Sequence, residues 1–399
     1  MSIEALVEVS RFYGSNADYV LAGGGNTSWK DVKTLYVKGS GMSLADVSPD
    51  SFVSMDRKAL AQIWEKKYPE SSEERESAVL ADMMAARKSG VEKRPSVEAL
   101  LHDIIPFNFV VHLHPALVNG LTCSRQGEKA MTEIFGEDAI WIPITNPGYV
   151  LASKVKNSMK IYVEKYNKQC QIIFMQNHGI FVGANDTDII KELYDEIMSK
   201  ILAMIIRKPD FQNEKRETPS DSGTQDSKTP SNSPPELSNG KGEGRIEEIL
   251  QTLSSLSGAS AFLSSSEISA FIKERSTFYP LSSAFTPDHI VYAGSEPLFI
   301  EIDIHNKSIE INSAINEAWN SFVQKTGRKP KIIAVQGLGV FSAAATEKAA
   351  MLAVDLFKDA VKVAVYTESF GGALFMTQEQ IDFINNWEVE AFRTKVAAK

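Results

Sequence analysis

Three of the six histidines in this chain are spaced for metal ligation. His112 and His114 stand two apart in the apolar run Val110-Val111-His112-Leu113-His114. A strand alternates its side chains with period 2, so both imidazoles share one face. His178 follows a second apolar run, Gln171–Met175, and directly precedes Gly179. Two strand-borne histidines and a third from a neighbouring strand end predict a facial three-nitrogen site. Such a site suits Zn²⁺ with one position open for a substrate oxygen. Taken alone, the His-x-His pattern also fits a pair of satisfied structural histidines, and that plainer reading is the one for His102, His289 and His305.

A second set of residues suits an anion. Gly23-Gly24-Gly25-Asn26-Thr27-Ser28 is a glycine-rich turn followed by small hydrogen-bond donors, and Lys38-Gly39-Ser40-Gly41 closes a strand shortly afterwards. Both can aim backbone N–H groups at a phosphate, with side-chain donors alongside. Arg94-Pro95-Ser96-Val97-Glu98 offers a hydroxyl and a carboxylate at a helix start. Glu98 lies among Val97, Leu100 and Leu101, an apolar setting suited to a general base. Alone, it also fits a first-turn glutamate favoured by the helix dipole. Gly337-Leu338-Gly339-Val340-Phe341-Ser342 follows a strand and reads as the opening of a helix, but it lacks the third glycine and the downstream acid of a dinucleotide site.

The elements that must hold these residues fall into two halves. The chain has 399 residues, 43% hydrophobic and 23% charged, as expected of a globular protein. Its net charge of −9 argues against a dominant nucleic-acid role. No apolar run is long enough for a bilayer, and the acidic start is not that of a secretory signal. Two cysteines, Cys123 and Cys170, cannot build a disulfide framework; they read as buried small hydrophobes in a reducing cytoplasm. Residues 213–244 are rich in Ser, Pro, Gly and Asn, with Leu237 the only hydrophobic one, and predict a flexible linker. The expected division is 1–212, linker 213–244, and 245–399. Strands are predicted at Thr34–Lys38, Val110–Leu113, Gln171–Met175, Asp288–Tyr292, Leu298–Ile304 and Lys331–Val335. Helices are predicted at Val97–Ile105, Asp186–Arg207, Ile246–Leu256, Thr346–Val365 and Thr377–Thr394. Ile172–Phe181 aligns with Ile332–Phe341, a weak repeat in which Leu338 stands where His178 stands; each block reads as strand, glycine turn and helix.

In this order the motifs GGGNTS, KGSG, RPSVE, VVHLHP and QNHG resemble the class II aldolase/adducin family. Leu281–Gly294 and Gln336–Lys395 are similar to the stretch that follows the aldolase motifs in bifunctional rhamnulose-phosphate aldolase/alcohol dehydrogenases. The dehydrogenase part is expected to be absent, because the chain stops at Lys399. The resemblance implies a three-layer α/β fold, its central, mostly antiparallel sheet flanked by helices, plus a second related domain lacking the metal site. It implies His112, His114 and His178 as ligands of Zn²⁺ or another divalent transition metal, and Glu98 as the acid–base residue. Gly25, Asn26, Ser40, Gly41 and Ser96 match the family's phosphate loops. Val97 departs from the family, which often has a second serine there. The family tyrosine that protonates the aldehyde comes from a neighbouring subunit; Tyr149 is the nearest candidate here.

The activity implied is cleavage of a ketose 1-phosphate, such as rhamnulose 1-phosphate, to dihydroxyacetone phosphate and an aldehyde through a metal-stabilised enediolate. A sugar-phosphate epimerase on the same site and a non-catalytic adducin-like module are the alternatives. A cytoplasmic homo-oligomer acting on a small sugar phosphate, with neither nucleic acid nor membrane as partner, is expected.

Overall fold

The computed structural model describes residues 2–219, 241–302 and 308–387. They form two compact units. The first runs to Ile206 and takes up the chain again from Tyr366; the second is drawn from Arg207 to Val365.

The first unit has seven strands: β1 (Asn26–Lys30), β2 (Thr34–Lys38), β3 (Phe52–Asp56), β4 (Phe109–Leu113), β5 (Ala139–Ile142), β6 (Ile172–Met175) and β7 (Gly179–Ala184). Their order in the sheet is β3-β2-β1-β4-β7-β6-β5, and every neighbouring pair is antiparallel except β5 and β6. Period-2 alternation gives the sheet two apolar faces. Phe109, Val111 and Leu113 of β4 pack with Leu6, Val9 and Tyr13 of helix Ile3–Gly14 and with Tyr194 of helix Thr187–Leu202. Val110 belongs to the opposite core, with Phe181, Ile173 and Val155 of helix Tyr149–Tyr166. The predicted three layers are present, and His112, between Val111 and Leu113, belongs to the Val110 face. Both cysteines are buried.

The second unit has five strands, β8 (Lys215–Glu217), β9 (Ala259–Ser264), β10 (Leu298–Ile300), β11 (Ile332–Val335) and β12 (Gly339–Ala344), ordered β10-β11-β12-β9-β8. Only β10 and β11 are parallel. The same pairings link β5-β6-β7-β4-β1 in the first unit. Register makes the match residue by residue: His112 faces Phe181 across β4 and β7, and Phe262 faces Phe341 across β9 and β12. Phe262 therefore stands at the place of His112, Ser264 at that of His114, and Leu338 at that of His178. A Cβ on Gly339 would come within 2.3 Å of the Phe262 ring. The second unit keeps the hairpin and fills the site with an aromatic ring.

Several elements differ from expectation. The residues after each glycine turn form a second hairpin strand, β7 or β12, rather than a helix. Ile180-Phe181-Val182 and Val340-Phe341 are β-branched or aromatic and fully buried, which favours a strand; the helix waits until Asp186 caps it through Asp188 N. Asp288–Tyr292 is not a strand, because His289–Ala293 forms a π-helical turn. The division of the chain also falls elsewhere. Lys215–Glu217, counted in the linker, adds β8 to the sheet through β9, and a helix begins at Lys241. Residues 220–240 of the expected linker, His305 and the end of the terminal helix lie outside the described residues. Among the described residues no helix is long and apolar enough to cross a membrane.

The return of the chain to the first unit is built from specific bonds. Arg125 N donates to Gly372 O at 3.1 Å, Gln126 N to Phe370 O at 3.0 Å and Leu374 N to Cys123 O at 2.7 Å. Asn177 Nδ2 donates to Leu374 O at 2.7 Å. Phe370 is buried in the core of the same unit. A chain cut after Pro209 loses all of these, at about 1 kcal/mol for each hydrogen bond and about 1.5–3 kcal/mol for the phenyl ring. It is expected to aggregate, or to unfold at a clearly lower urea midpoint by tryptophan fluorescence; an unchanged midpoint would contradict this.

Candidate metal centre

β4 is held between β1 and β7, so its end is fixed from both sides. His112 is fully buried there. Its Nδ1 lies 2.9 Å from the Ile180 carbonyl, which can only accept, so Nδ1 carries the proton and the Nε2 lone pair is turned to the site. Phe181 stacks on the same ring at 4.1 Å. His114 Nε2 lies 2.8 Å from His112 Nε2. The His178 ring stands 5.0 Å from that of His112 and 5.2 Å from that of His114. One ligand atom from each of the three lies within 4.8 Å of the others.

Glu98 completes the cluster. Its Oε2 is 3.4 Å from His112 Nε2 and its Oε1 3.4 Å from His178 Nε2. The residue is only 5% exposed, and Oε1 has no hydrogen-bond partner. Converging imidazoles beside an orphaned buried carboxylate oxygen form the donor set of a divalent transition ion, and the residues fit such a group.

The third histidine depends on the β6–β7 turn. Asn177 takes the left-handed conformation at φ 56° and donates through Nδ2 to Leu374 O. His178 N then closes the turn on Met175 O at 3.2 Å. Gly179 leaves room for the cluster, since a Cβ there would lie 2.5 Å from Leu113 O and 2.6 Å from His114 Cδ2. Gly25 plays a similar part on the other flank, with φ 58° and a virtual Cβ 2.7 Å from His112 O.

The three predicted anion segments are laced together. Ser40 N donates to Arg94 O at 2.9 Å, and Ser96 N donates to Lys38 O at 3.0 Å. Buried Lys38 donates through Nζ to Gly23 O at 3.2 Å and also to Met42 O. Lysine thus ties the Gly23–Asn26 and Lys38–Met42 loops into one floor, with Gly41 at φ 80°. Ser96 Oγ accepts from Glu98 N at 3.2 Å. Asn26 goes elsewhere than expected from a phosphate loop alone: its Nδ2 donates to Glu98 Oε2 at 2.7 Å, and its Oδ1 bonds His102 Nε2. Tyr149 stacks on Trp64 and meets Tyr68 edge-on, and no contact joins it to Glu98 or the histidines.

His102 has more than a packing role. It is wholly buried, and burial holds its pKa well below the usual imidazole range, so it is neutral. Lys30 donates to its carbonyl at 2.6 Å and is itself pushed down to about 7 by burial. The one trace of this in the sequence is the four-residue spacing from Glu98, a single helical turn.

Gly179→Ala tests whether the histidine geometry depends on the bare backbone. It is expected to weaken Zn²⁺ binding at least tenfold in a chelator competition, because the methyl must displace His114 or the Leu113 carbonyl. Wild-type affinity would overturn the assignment.

Residues 4–197 match the model of the Class II Aldolase and Adducin N-terminal domain. A curated relative, the uncharacterized oxidoreductase YuxG of Bacillus subtilis (strain 168), is 21% identical over 425 residues, covering 99% of this chain. The chain spans 58% of that relative's length. Among solved structures, the N-terminal class II aldolase domain of a conserved protein from Thermoplasma acidophilum is 27% identical, with TM-score 0.44, over 52% of this chain and 94% of that one. An L-fuculose-1-phosphate aldolase from Thermus thermophilus is 13% identical, with TM-score 0.33, over 50% of this chain and 89% of that one. The span matched by that family model includes the strands and the turn that carry the three histidines.

Proposed function

We propose that the first unit is a metal-dependent class II aldolase. It cleaves a ketose 1-phosphate, with a deoxy-ketohexose such as rhamnulose 1-phosphate as the leading substrate, to dihydroxyacetone phosphate and an aldehyde. The observation that carries this reading is the convergence of His112, His114 and His178 on the buried carboxylate of Glu98, beside a floor of donor-bearing loops. A purely interaction-bearing descendant has no use for that combination.

The roles follow from position. Gly25, Gly41, Ser40 and Ser96, with the free hydrogen of Asn26 Nδ2, would hold the phosphate. His112, His114 and His178 would hold Zn²⁺ or another divalent transition ion, which when bound supplies Lewis-acid stabilisation of the charge that develops at the carbonyl end. When C3–C4 breaks, the electron pair stays with C3, and the C4 hydroxyl passes its proton to water as it becomes the aldehyde. Glu98 starts the step protonated and regains a proton from water once the products have left. Glu98 delivers a proton to C3 and removes it in the reverse direction. Positioned transfer of this kind contributes about 10²–10⁴-fold. Burial excludes water around Glu98, which favours that delivery over loss of the proton to solvent.

The full chain, reconstituted with Zn²⁺, is expected to split at least one ketose 1-phosphate into two fragments in a product assay. A single isomerised sugar would instead identify an epimerase. His112→Ala is expected to lose bound metal and about 10³-fold or more of the rate together, the equivalent of several kcal/mol of charge stabilisation. Full cleavage by metal-free His112→Ala would refute the reading.

A further inference from the structure

We infer that His102 is a positioning residue for Glu98, acting through the side-chain amide of Asn26; this rests on the aldolase reading for its effect on rate. Three alternate residues of one strand grip this histidine. Asn26 Oδ1 meets its Nε2, Ser28 Oγ meets its Nδ1 at 2.7 Å, and Lys30 Nζ meets its carbonyl at 2.6 Å. Period-2 alternation puts all three side chains of β1 on one face, so the strand and the short helix Ala99–Ile104 are pinned through a single side chain. The same histidine is bonded through the backbone to Glu98, His102 N to Glu98 O at 3.1 Å.

The hydrogen bonds have a direction. An ionised carboxylate only accepts, so Asn26 must turn Nδ2 towards Glu98 Oε2. Oδ1 is then left facing His102, whose Nε2 must carry the ring proton. Nδ1 must accept, and the Ser28 hydroxyl donates to it. The order Ser28, His102, Asn26, Glu98 is a one-way chain of donors that ends on the carboxylate. Reversing the amide would set a carbonyl oxygen against a carboxylate oxygen 2.7 Å away. A neutral histidine in one tautomer thus holds the amide against that flip. It also stops Glu98 from swinging away from His112 and His178. All four residues are buried, so no solvent replaces a lost link.

Histidine ¹⁵N NMR of the full chain is expected to show one ring, absent from His102→Gln, with a protonated Nε2 and a bare Nδ1. A proton on Nδ1 would overturn the inference, and this readout needs no substrate. In kinetics, His102→Leu is expected to lower kcat about 10- to 100-fold, the rate equivalent of one hydrogen bond to a charged group, with bound Zn²⁺ unchanged. His102→Gln can still donate to Asn26 Oδ1 and is expected to recover most of that loss. Asn26→Ala combined with His102→Leu is expected to be no slower than Asn26→Ala alone. Wild-type kcat in His102→Leu, or additive losses in the double variant, would overturn the inference. If His102→Leu does not fold, His102→Gln decides: a loss as large as that of Asn26→Ala would overturn it. A wild-type chain that cleaves no sugar phosphate yet shows the Nε2–H ring would refute the aldolase reading and leave the donor chain standing.

Discussion

A carboxylate taken out of water must have its charge answered, or the fold that buries it is unstable. Glu98 is the point at which this constraint acts. One oxygen receives the Asn26 amide and both lie near imidazoles, while one remains without a hydrogen bond. Much of the surrounding architecture serves this balance. β1 supplies the amide and the grip on His102, β4 supplies two imidazoles, and the β6–β7 turn supplies the third. An ion among the three nitrogens would provide the remaining positive charge. The site and the local stability of the unit are therefore one electrostatic problem rather than two.

Much of this was legible in the sequence, and the reasons can be given residue by residue. Val110-Val111-His112-Leu113-His114 is legible because alternation on a fully buried strand leaves one arrangement of the imidazoles. Gly23–Asn26 and Lys38–Gly41 are legible as glycine-rich turns. Their union is not, because it depends on one Lys38 ammonium reaching two carbonyls, a contact between loops that periodicity does not encode. His102 was hidden for a similar reason: one histidine on an apolar helix face looks like packing. The glycine turns misled in another way. A glycine after a strand commonly opens a helix, but here Ile180-Phe181-Val182 continues the sheet. The run Ile290-Val291-Tyr292 has strand-like residues and nonetheless coils, in a segment that opens with Pro287 and ends at Gly294, where φ is 89°.

The second unit shows how few side chains separate a histidine cluster from plain core. The pairing of five strands is kept, the glycine that opens β12 is kept, and three side chains differ at matching register. Phe262 puts an apolar ring where an imidazole would stand, and Leu338 removes a second nitrogen. The Phe262 ring meets Phe341 at 4.9 Å in a tilted contact, at the place where the His112 ring stacks on Phe181 at 4.1 Å. The ring contact that holds an imidazole in one unit holds a phenyl ring in the other. The core arrangement therefore does not depend on the imidazoles, which are present in one copy of it and absent from the other.

The chain leaves the first unit at Ile206 and re-enters it at Tyr366. The second unit is thus an insertion within the chain of the first. During synthesis, Asn177 and its neighbours emerge well before the Leu374 carbonyl that secures their turn. At about 5–20 residues per second the intervening stretch takes roughly 10–40 s to make. The nascent first unit must wait through that interval with an unfinished wall, so its completion is paced by the ribosome's passage through the inserted unit.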